Sequence, residues 1–423
     1  MRLAVQYGLL SALLLAPTSV LPQTAATDRI AEDVRYLSSD RLEGRRIGSA
    51  GADSAAAWIA QRMEKAGLTR APRSDGWFQS FIIAHDAPAA HGTGLGGVRG
   101  RNVIGVLKGK DPAFAGQYVV VGAHYDHLGN GGPGSLDPDS AGVPHNGADD
   151  NASGVAAILE IARNLAARRP ARSVIFVAFS GEEEGLLGSS HFVKFPPVPT
   201  ERMVAMLNFD MVGRLRDDKL IIYGVETARE WRGMIDSLNR DAKFSLTLQG
   251  DGLGPSDHTA FTLVKRPVLH FFTGTHSDYH RTTDDFATIN LDGILRVATM
   301  ASDLARQVGG GDTKLTFVES VRPMASEGSS RTSGYGAYLG SIPDMSTSPG
   351  GVALSGVRSG SPAEAGGLKG GDVITRIGTH AVPDLQAMTD ALRAYAPGDT
   401  VEIVYRREGS ERHTQVVLGR RGG

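Results

Sequence analysis

The feature that most limits the fold is an alternation of short apolar runs with amphipathic helical patterns between residues 28 and 308. The runs are nearly continuous in apolar side chains, which is typical of strands buried on both faces of a sheet: 102–107, 117–122, 173–179, 203–209, 220–223 and 267–272. The helical patterns occupy 28–37, 51–66, 153–168, 228–240 and 291–308. The sequence therefore predicts an α/β fold with a mainly parallel central sheet flanked by helices.

Histidine and carboxylate side chains follow four of the predicted strands, directly or after a short loop. These segments are Ala123-His124-Tyr125-Asp126-His127, Gly181-Glu182-Glu183-Glu184, Asp210 and His276-Ser277-Asp278-Tyr279-His280. A fifth polar segment, residues 146–151, lies at the start of the predicted helix 153–168. Ligands of open α/β sheets bind beyond the carboxyl ends of the strands, so these side chains are expected in one crevice. The chain has no cysteine, so imidazole and carboxylate would be the metal ligands, and this donor set suits zinc.

Each polar segment also has an ordinary structural interpretation when it is considered alone. The three glutamates at 182–184 can form a solvated charge run, and Asp149-Asp150 can cap the following helix. Residues 256–258 form either another capping cluster or one wall of a substrate pocket. The spacing alone does not choose between Asp149 and Asp150, or among the three glutamates. Because the segments occur together at strand ends, the sequence predicts a metal site.

Five of these motifs, taken in order along residues 28–308, resemble those of the co-catalytic di-zinc exopeptidases. The motifs are His124-Tyr125-Asp126, Gly147-Ala148-Asp149-Asp150-Asn151-Ala152-Ser153-Gly154, Glu182-Glu183, Asn208-Phe209-Asp210 and Asp278-Tyr279-His280. This family includes secreted bacterial leucyl aminopeptidases, aminopeptidase Y and glutamate carboxypeptidase. The resemblance implies the zinc exopeptidase fold, which is phosphorylase/hydrolase-like, and hydrolysis of a terminal peptide bond.

The resemblance also implies two Zn²⁺ per chain and identifies their ligands in this sequence. His124 and Asp210 would bind one ion. Glu183 and His280 would bind the other. Asp149 would bridge both ions, and the peptide bond that follows it is expected to be cis in this family.

Three further residues have catalytic roles under this resemblance. Asp126 would accept the second ring proton of His124 and thereby orient that ligand. Glu182 would act as the general base, taking a proton from the attacking water and passing it to the leaving amine. Tyr279 would donate a hydrogen bond to the developing oxyanion.

Residues 331–421 carry a different pattern of short strands, with one predicted helix at 384–395 and a hairpin around Gly409. The pattern resembles the bacterial type of PDZ domain in three segments: Tyr338-Leu339-Gly340-Ser341-Ile342, Ser361-Pro362-Ala363-Glu364 and 368–374. The resemblance implies a small β-rich domain that binds the C-termini of peptides or proteins. The peptide-binding loop would consist of Leu339, Gly340, Ser341 and Ile342. A module that serves only for packing within the chain is the alternative.

The N-terminus has the pattern of a secretory signal peptide, which we assign to residues 1–26. Arg2 is followed by an apolar stretch at 8–17 and by the small residues Thr24-Ala25-Ala26, with cleavage expected within 21–26. The apolar stretch is too short to span a bilayer, and no second candidate occurs, so no membrane span is expected in the mature chain. We therefore expect an exported protein, in a bacterial periplasm or outside the cell.

We expect the chain to divide into a signal peptide at 1–26, a di-zinc peptidase domain at 27–310, a linker at 311–330 and a PDZ domain at 331–421. The net charge of −2 gives no reason to expect nucleic acid as a partner. We expect a metallo-aminopeptidase that acts on peptides with a free N-terminus. The same fold serves carboxypeptidases of the glutamate carboxypeptidase type, for which Arg214, Arg216 and Arg281 are candidates to bind a terminal carboxylate. Glutaminyl cyclases and non-enzymatic binding proteins on this fold are further alternatives.

Overall fold

A mixed nine-stranded sheet forms the centre of the first domain in the computed structural model, which describes residues 20–90, 93–132, 134–250, 252–319, 337–344, 350–358, 360–383 and 385–419. Its strands are β1 (Thr69–Arg70), β2 (Phe78–Ile82), β3 (Arg99–Leu107), β4 (Tyr118–His124), β5 (Ser173–Phe179), β6 (Met203–Phe209), β7 (Lys219–Tyr223), β8 (Ser245–Leu248) and β9 (Val268–Phe272). The strand order is β1-β3-β5-β4-β6-β9-β7-β8, and β2 also pairs with β3. The neighbours β5, β4, β6 and β9 form a parallel block, with β3 and β7 antiparallel on either side. The predicted α/β fold is confirmed.

Helices cover both faces of this sheet. They are α1 (Val20–Leu37), α2 (Ala50–Lys65), α3 (Gly154–Ala167), α4 (Leu187–Lys194), α5 (Trp231–Ala242), α6 (His258–Leu263) and α7 (Leu291–Val308). Alternate side chains of β4 point to opposite layers: Val119 and Val121 pack in the core formed with α3, whereas Val120 packs with residues of α4 and α6. Because both faces of the central strands are buried, their sequences are nearly continuous in apolar residues.

The second domain is an antiparallel sheet with two helices. Its elements are β10 (Ser341–Pro343), β11 (Val352–Val357), α8 (Pro362–Ala365), β12 (Val373–Ile377), β13 (His380–Ala381), α9 (Leu385–Arg393), β14 (Thr400–Arg407) and β15 (Ser410–Val417). The strand order is β10-β11-β12-β14-β15, with β13 beside β12. Leu354, Ile374, Met388 and Ile403 belong to its separate hydrophobic core. This small β-rich unit, with a hairpin that turns at Gly409, agrees with the predicted PDZ architecture.

The predicted and observed elements agree best in the middle of the first domain. The predicted bounds 173–179, 203–209 and 291–308 coincide with β5, β6 and α7. β1, β2 and β8 were not predicted. They lie at the edges of the sheet and carry mostly exposed or half-buried residues. α4 was not predicted either, because such a short helix gives too few turns for an apolar period.

The predicted signal peptide and linker lie only partly within the described residues. Residues 1–19 and 320–336 lie outside them, and the expected cleavage region 21–26 lies within α1. Phe317, in the predicted linker, forms an isolated bridge with Ala228, so this part of the linker runs along the first domain. None of the helices described is both long and apolar enough to cross a bilayer.

Candidate metal centre

The ends of four parallel strands bring the predicted site together at one edge of the first sheet. His124 is the last residue of β4, Asp210 follows β6, and Glu183 lies shortly after β5. His280 lies in the loop after β9, and residues 148–153 form a turn that leads into α3. Because the four strands are parallel neighbours, their carboxyl ends meet and these side chains converge.

The converging side chains form two donor groups that share one carboxylate. In the first donor group (His124, Asp150 and Asp210), His124 Nε2 lies 3.3 Å from Asp150 Oδ1 and 3.2 Å from Asp210 Oδ1. In the second donor group (Asp150, Glu183 and His280), His280 Nε2 lies 3.3 Å from Asp150 Oδ2 and 3.2 Å from Glu183 Oε2. Asp150 thus has one oxygen in each group.

Both donor groups have the atoms and the spacing that a zinc ion requires. Zinc bonds of about 2.0–2.1 Å at tetrahedral angles hold two donor atoms about 3.3 Å apart. The four separations of 3.2–3.3 Å match this value. His124 and Asp150 are almost completely buried, at 1% and 3% exposure, and buried charged groups of this kind need a partner of opposite charge.

The electrostatic field of the site also favours a cation. Burial alone would raise the pKa of Asp150, but hydrogen bonds from His124 and His280 hold that pKa well below its usual range. Burial alone would lower the pKa of His280, but the carboxylates of Asp150 and Glu183 raise it to about 10. Carboxylates that stabilise a protonated imidazole to this extent would also stabilise a metal cation.

The prediction that Asp149 takes the shared position is wrong, because Asp150 occupies it. The Asp149 carboxylate accepts a hydrogen bond from Gly213 N at 2.6 Å and lies 3.1 Å from His276 Nε2. The cis peptide bond is likewise Asp150–Asn151 and not the bond after Asp149. The N–H groups of both aspartates donate to Asp284 Oδ2, at 2.9 and 3.0 Å, and this anchor determines which side chain faces the site.

Asp126 is close to His124, but its carboxylate does not accept the ring proton as predicted. The carboxylate oxygen Oδ1 lies 3.9 Å from His124 Nδ1, which is too far for a hydrogen bond, whereas the Asp126 carbonyl oxygen lies 3.2 Å away. The carboxylate accepts hydrogen bonds from the N–H groups of Glu182 and Glu183, at 3.2 and 3.3 Å. Its carbonyl therefore orients His124, and its carboxylate holds the glutamate turn in position.

Glu182 and Tyr279, the predicted general base and oxyanion donor, lie near the donor groups. Burial raises the pKa of Glu182 well above its usual range, and the charges of Glu183 and Asp210 add to this effect while His124 opposes it. The Tyr279 ring stacks on the His280 ring, with 3.8 Å between the ring centroids. Burial, together with nearby carboxylates, raises the pKa of the Tyr279 hydroxyl, so this group remains a hydrogen-bond donor.

Two neighbours of the donor groups were not assigned from the sequence. His127 Nδ1 lies 2.7 Å from Glu183 Oε1, and its position three residues after His124, at the same strand end, was an available signal.

Ser256, predicted as a capping residue or pocket wall, instead orients the carboxylate of Asp210. Its hydroxyl donates to Asp210 Oδ2 at 2.8 Å and accepts from Asn208 Nδ2 at 2.8 Å. The Asp210 carboxylate is therefore oriented by hydrogen bonds that run from Asn208 through the Ser256 hydroxyl to Asp210 Oδ2.

Arg45 connects the two loops that carry the central ligands. Its guanidinium donates to the carbonyl oxygens of Tyr125 at 2.7 Å, Asn146 at 2.6 Å and Gly147 at 3.0 Å, and also to that of Leu37. Arg45 is only 1% exposed, and burial lowers its pKa to about 10. No sequence pattern indicates this role, because every partner is a backbone carbonyl.

The predicted peptide-binding loop of the second domain lies at the start of β10, an edge strand of the described sheet. The carbonyl oxygens of Leu339 and Gly340 accept hydrogen bonds from Ala363 N and Arg358 N, each at 2.8 Å. The N–H groups of Leu339 and Gly340 donate to no residue in the described part of the chain. Gly340 has φ of +82°, a left-handed conformation that favours glycine. Ser341 and Ile342 follow in β10 and are half-buried.

Two family profiles match this chain. Residues 102–305 match the family described as "Peptidase family M28", and residues 336–418 match the one described as "PDZ domain". A "Probable zinc metalloprotease" of Pyrenophora teres f. teres is 32% identical over 191 residues, which are 44% of this chain and 38% of that protein. "Aminopeptidase YwaD" of Bacillus subtilis is 33% identical over 165 residues, which are 38% of this chain and 33% of that protein. The chain thus spans well under half the length of these relatives.

A solved structure has the same fold as the first domain. A Zn-dependent exopeptidase from Parabacteroides distasonis aligns with a TM-score of 0.53 and 19% identity, covering 67% of this chain and 97% of that chain. At this identity the likeness concerns the fold, and the chemistry has to be argued from the side chains of this chain.

Proposed function

The chain carries a zinc-metallopeptidase domain of family M28 followed by a PDZ domain, and on this premise we propose that it is an exported aminopeptidase. The proposed enzyme uses two Zn²⁺ per chain to hydrolyse the first peptide bond of a substrate with a free N-terminus. The observation that carries the proposal is the Asp150 carboxylate, which has one oxygen in each of two donor groups. A shared carboxylate of this kind suits a pair of metal ions that act on one substrate.

The donor groups define which residues would hold the metals. His124 and Asp210 would hold one zinc ion. Glu183 and His280 would hold the other, and Asp150 would bind both. Bound zinc would supply Lewis-acid chemistry, lowering the pKa of a water molecule and polarising the scissile carbonyl.

Glu182 is the proposed general base. It lies next to the shared ligand set, and its N–H donates to Asp126, so the turn that carries it is fixed. Burial raises the pKa of Glu182 well above its usual range, which makes the carboxylate a stronger proton acceptor. It takes a proton from the attacking water and transfers that proton to the amine that leaves.

Tyr279 is the proposed hydrogen-bond donor to the oxyanion that develops on the scissile carbonyl. Its ring is held against His280, and its hydroxyl keeps its proton because burial raises its pKa. A donor that is already oriented stabilises the transition state without reorganising during the reaction.

Two of the three candidate arginines, Arg214 and Arg281, are paired with carboxylates of this chain, which favours an aminopeptidase over a carboxypeptidase; the third, Arg216, is exposed. A carboxypeptidase needs a cationic side chain that is available to bind the C-terminal carboxylate of the substrate. Arg214 instead lies 3.1 Å from carboxylate oxygens of Asp278 and Asp284, and Arg281 lies 2.7 Å from Asp137. The name of the Bacillus subtilis relative, an aminopeptidase, agrees with this preference.

Hydrolysis of aminoacyl-nitroanilides by the purified chain tests the proposal. We expect zinc-dependent release of nitroaniline from substrates with a free amino group, and none after N-acetylation. Hydrolysis of N-blocked peptides from the C-terminus would contradict the aminopeptidase assignment. Metal analysis of the active protein should find two zinc ions per chain.

Glutaminyl cyclisation is the second candidate, because the same fold performs it with one zinc ion. Two complete donor groups are more than that reaction requires, which favours hydrolysis. Mass spectrometry of a peptide with N-terminal glutamine separates the two activities, since cyclisation retains the residue and loses ammonia. Formation of the cyclised peptide by a chain with one zinc ion would favour the cyclase.

The second domain is proposed to bind the C-termini of peptides or proteins. The inward-facing carbonyls of Leu339 and Gly340 leave their N–H groups available for a carboxylate, and β10 offers a free strand edge among the described residues. N-acetylated peptides, which the proposed enzyme does not hydrolyse, can be tested for binding to the full chain by fluorescence anisotropy. We expect peptides with a free C-terminal carboxylate to bind and their C-terminal amides to bind at least tenfold more weakly. A library without any binder would leave packing within the chain as the role of this domain.

Export is proposed from the N-terminal pattern of residues 1–26. Expression of the full chain in a bacterial host, followed by fractionation and N-terminal sequencing, tests this part. We expect a periplasmic or extracellular protein that begins between residues 22 and 27. Retention of the intact chain in the cytoplasm would contradict it.

A further inference from the structure

We propose that His127 is a positioning residue of the metal centre. Its Nδ1–H donates to Glu183 Oε1 and thereby directs the other oxygen, Oε2, toward the second donor group. The inference rests on the proposed two-metal site and adds a residue to it. His127 acts through Glu183 and is not itself a ligand.

The distances from His127 Nδ1 to its two carboxylate neighbours indicate that this ring is a hydrogen-bond donor and not a metal ligand. His127, Asp150 and Glu183 are close enough that they could by themselves form a three-donor group. However, His127 Nδ1 lies 2.7 Å from Glu183 Oε1 and 3.9 Å from Asp150 Oδ2, whereas zinc donors lie about 3.3 Å apart. The shorter distance is that of a charge-assisted hydrogen bond, and the longer one exceeds the spacing of two donors on a tetrahedral zinc ion.

The surroundings of the His127 ring lead to the same conclusion. The ring is 1% exposed, and its Nε2 has no hydrogen-bond partner in the described part of the chain. If Nδ1 bound a metal, Nε2 would have to carry hydrogen and would be a buried donor without an acceptor. If Nδ1–H donates to Glu183, Nε2 is only an unpaired acceptor, which buried groups tolerate more often.

Gly147 fixes the position of this ring. A Cβ atom at Gly147 would lie 2.6 Å from both Cγ and Cδ2 of His127, so the backbone packs directly against the imidazole. His280 receives a comparable constraint, since its Nδ1–H donates to the Gly134 carbonyl oxygen at 2.8 Å. Glu183 and His280, the two unshared members of the second donor group, are thus each oriented by one specific hydrogen bond.

Zinc retention by single-residue variants of the full chain tests the role of His127. His127→Leu removes the donor, and we expect it to weaken one of the two zinc sites by about 10–100-fold while the other is unchanged. His127→Asn keeps an N–H donor at the same number of bonds from the backbone and should restore most of that affinity. The matched control is His191→Leu on α4, whose ring stacks on Phe81 with 5.1 Å between ring centroids. Wild-type affinity at both sites in His127→Leu would overturn the proposal.

Cadmium-113 NMR of the cadmium-loaded, nitrogen-15-histidine-labelled chain tests whether His127 is a ligand. We expect scalar coupling to two histidines, one for each cadmium ion. A third coupled histidine that disappears in His127→Leu would overturn the positioning role. A wild-type chain that binds fewer than two metal ions would instead contradict the proposed two-metal function, so the two failures can be told apart.

Discussion

The candidate metal centre of the first domain and the proposed peptide-binding loop of the second domain are built from different atoms of the chain. The metal centre consists of imidazole and carboxylate groups, including His124 and Asp150. The loop offers the backbone N–H groups of Leu339 and Gly340. Exchange of one side-chain atom can abolish a site made of side chains. A site made of backbone N–H groups persists as long as the backbone keeps its conformation. Substitutions should therefore act on chemistry in the first domain and on conformation in the second.

The two sites also differ in what holds them in position. The candidate metal ligands are oriented by buried polar contacts from distant segments, such as Asp284 on the turn of Asp150 and Ser256 on Asp210. The loop is oriented by two backbone hydrogen bonds and by the left-handed conformation of Gly340. Variants with matched controls can test this contrast.

Asp150→Ala should have the largest effect, because it removes a donor from both groups. We expect loss of both zinc ions and hydrolysis at the level of the metal-free protein. In Asp149→Ala the lost contacts are to Gly213 N and His276, so we expect two zinc ions to remain and stability to fall by about 1–3 kcal/mol. Metal analysis and aminoacyl-nitroanilide hydrolysis measure both variants. Zinc loss in Asp149→Ala, with retention in Asp150→Ala, would reverse the assignment.

Two of the ligands predicted from the sequence are placed directly by strand ends. His124 ends β4, Asp210 follows β6, and their convergence follows from the parallel order of the strands. Asp149 and Asp150 lie instead in a turn before α3, where the choice depends on Asp284, 134 residues from Asp150. No local pattern in the sequence contains that contact.

The roles of residues that act through the backbone also have no local pattern in the sequence. Arg45 bonds to the carbonyl oxygens of Asn146 and Gly147, which lie 101 and 102 residues away and could be carried by any residue type. The second domain could be recognised as a PDZ domain from its sequence, but its ligand could not be named, because the proposed binding groups also belong to the backbone. Backbone N–H groups select a carboxylate and say nothing about the side chains that accompany it.

Glu182→Gln should have the second largest effect on hydrolysis. The amide cannot accept the proton of the attacking water, so we expect kcat to fall by about 10²–10⁴-fold while two zinc ions remain bound. Glu184→Gln is the matched control, since the Glu184 side chain pairs with Arg46 at 3.0 Å and belongs to neither donor group. Metal analysis and steady-state kinetics give the readout. A wild-type rate in Glu182→Gln would remove Glu182 from the mechanism.

Arg45→Met should act on stability more than on the chemical step. The substitution leaves buried carbonyl oxygens without a donor, and we expect the free energy of unfolding of the first domain to fall by about 3 kcal/mol. Arg46→Met is the control, because Arg46 is 31% exposed and its ion pair with Glu184 contributes less than about 1 kcal/mol.

The tryptophans give a selective readout for this pair of variants. Trp58, Trp77 and Trp231 are the three tryptophans of the chain, and all lie in the first domain. Urea unfolding followed by tryptophan fluorescence therefore reports on that domain. Equal midpoints for Arg45→Met and Arg46→Met would show that the buried guanidinium does not hold the two loops together.

Gly340→Ala should have the smallest effect on catalysis and the clearest effect on the second domain. A Cβ atom at Gly340 would lie 2.3 Å from Ser361 Cβ, so the loop must shift, and the left-handed φ of +82° adds strain. In Gly367→Ala the φ of +75° adds similar strain, but the new Cβ has nothing within 4 Å and the loop need not shift. We expect Gly340→Ala to bind C-terminal peptides about tenfold more weakly than Gly367→Ala, which is about 1.4 kcal/mol.

Both variants should hydrolyse aminoacyl-nitroanilides at the wild-type rate, because neither glycine touches the metal centre. Circular dichroism of each variant would verify that the second domain remains folded, so that weaker binding can be attributed to the loop. Equal peptide affinity in the two variants would mean that the backbone of Leu339 and Gly340 is not the carboxylate site. A loss of hydrolysis in Gly340→Ala alone would contradict the separation of the two sites. It would mean that a backbone shift in the second domain changes the activity of the metal centre in the first.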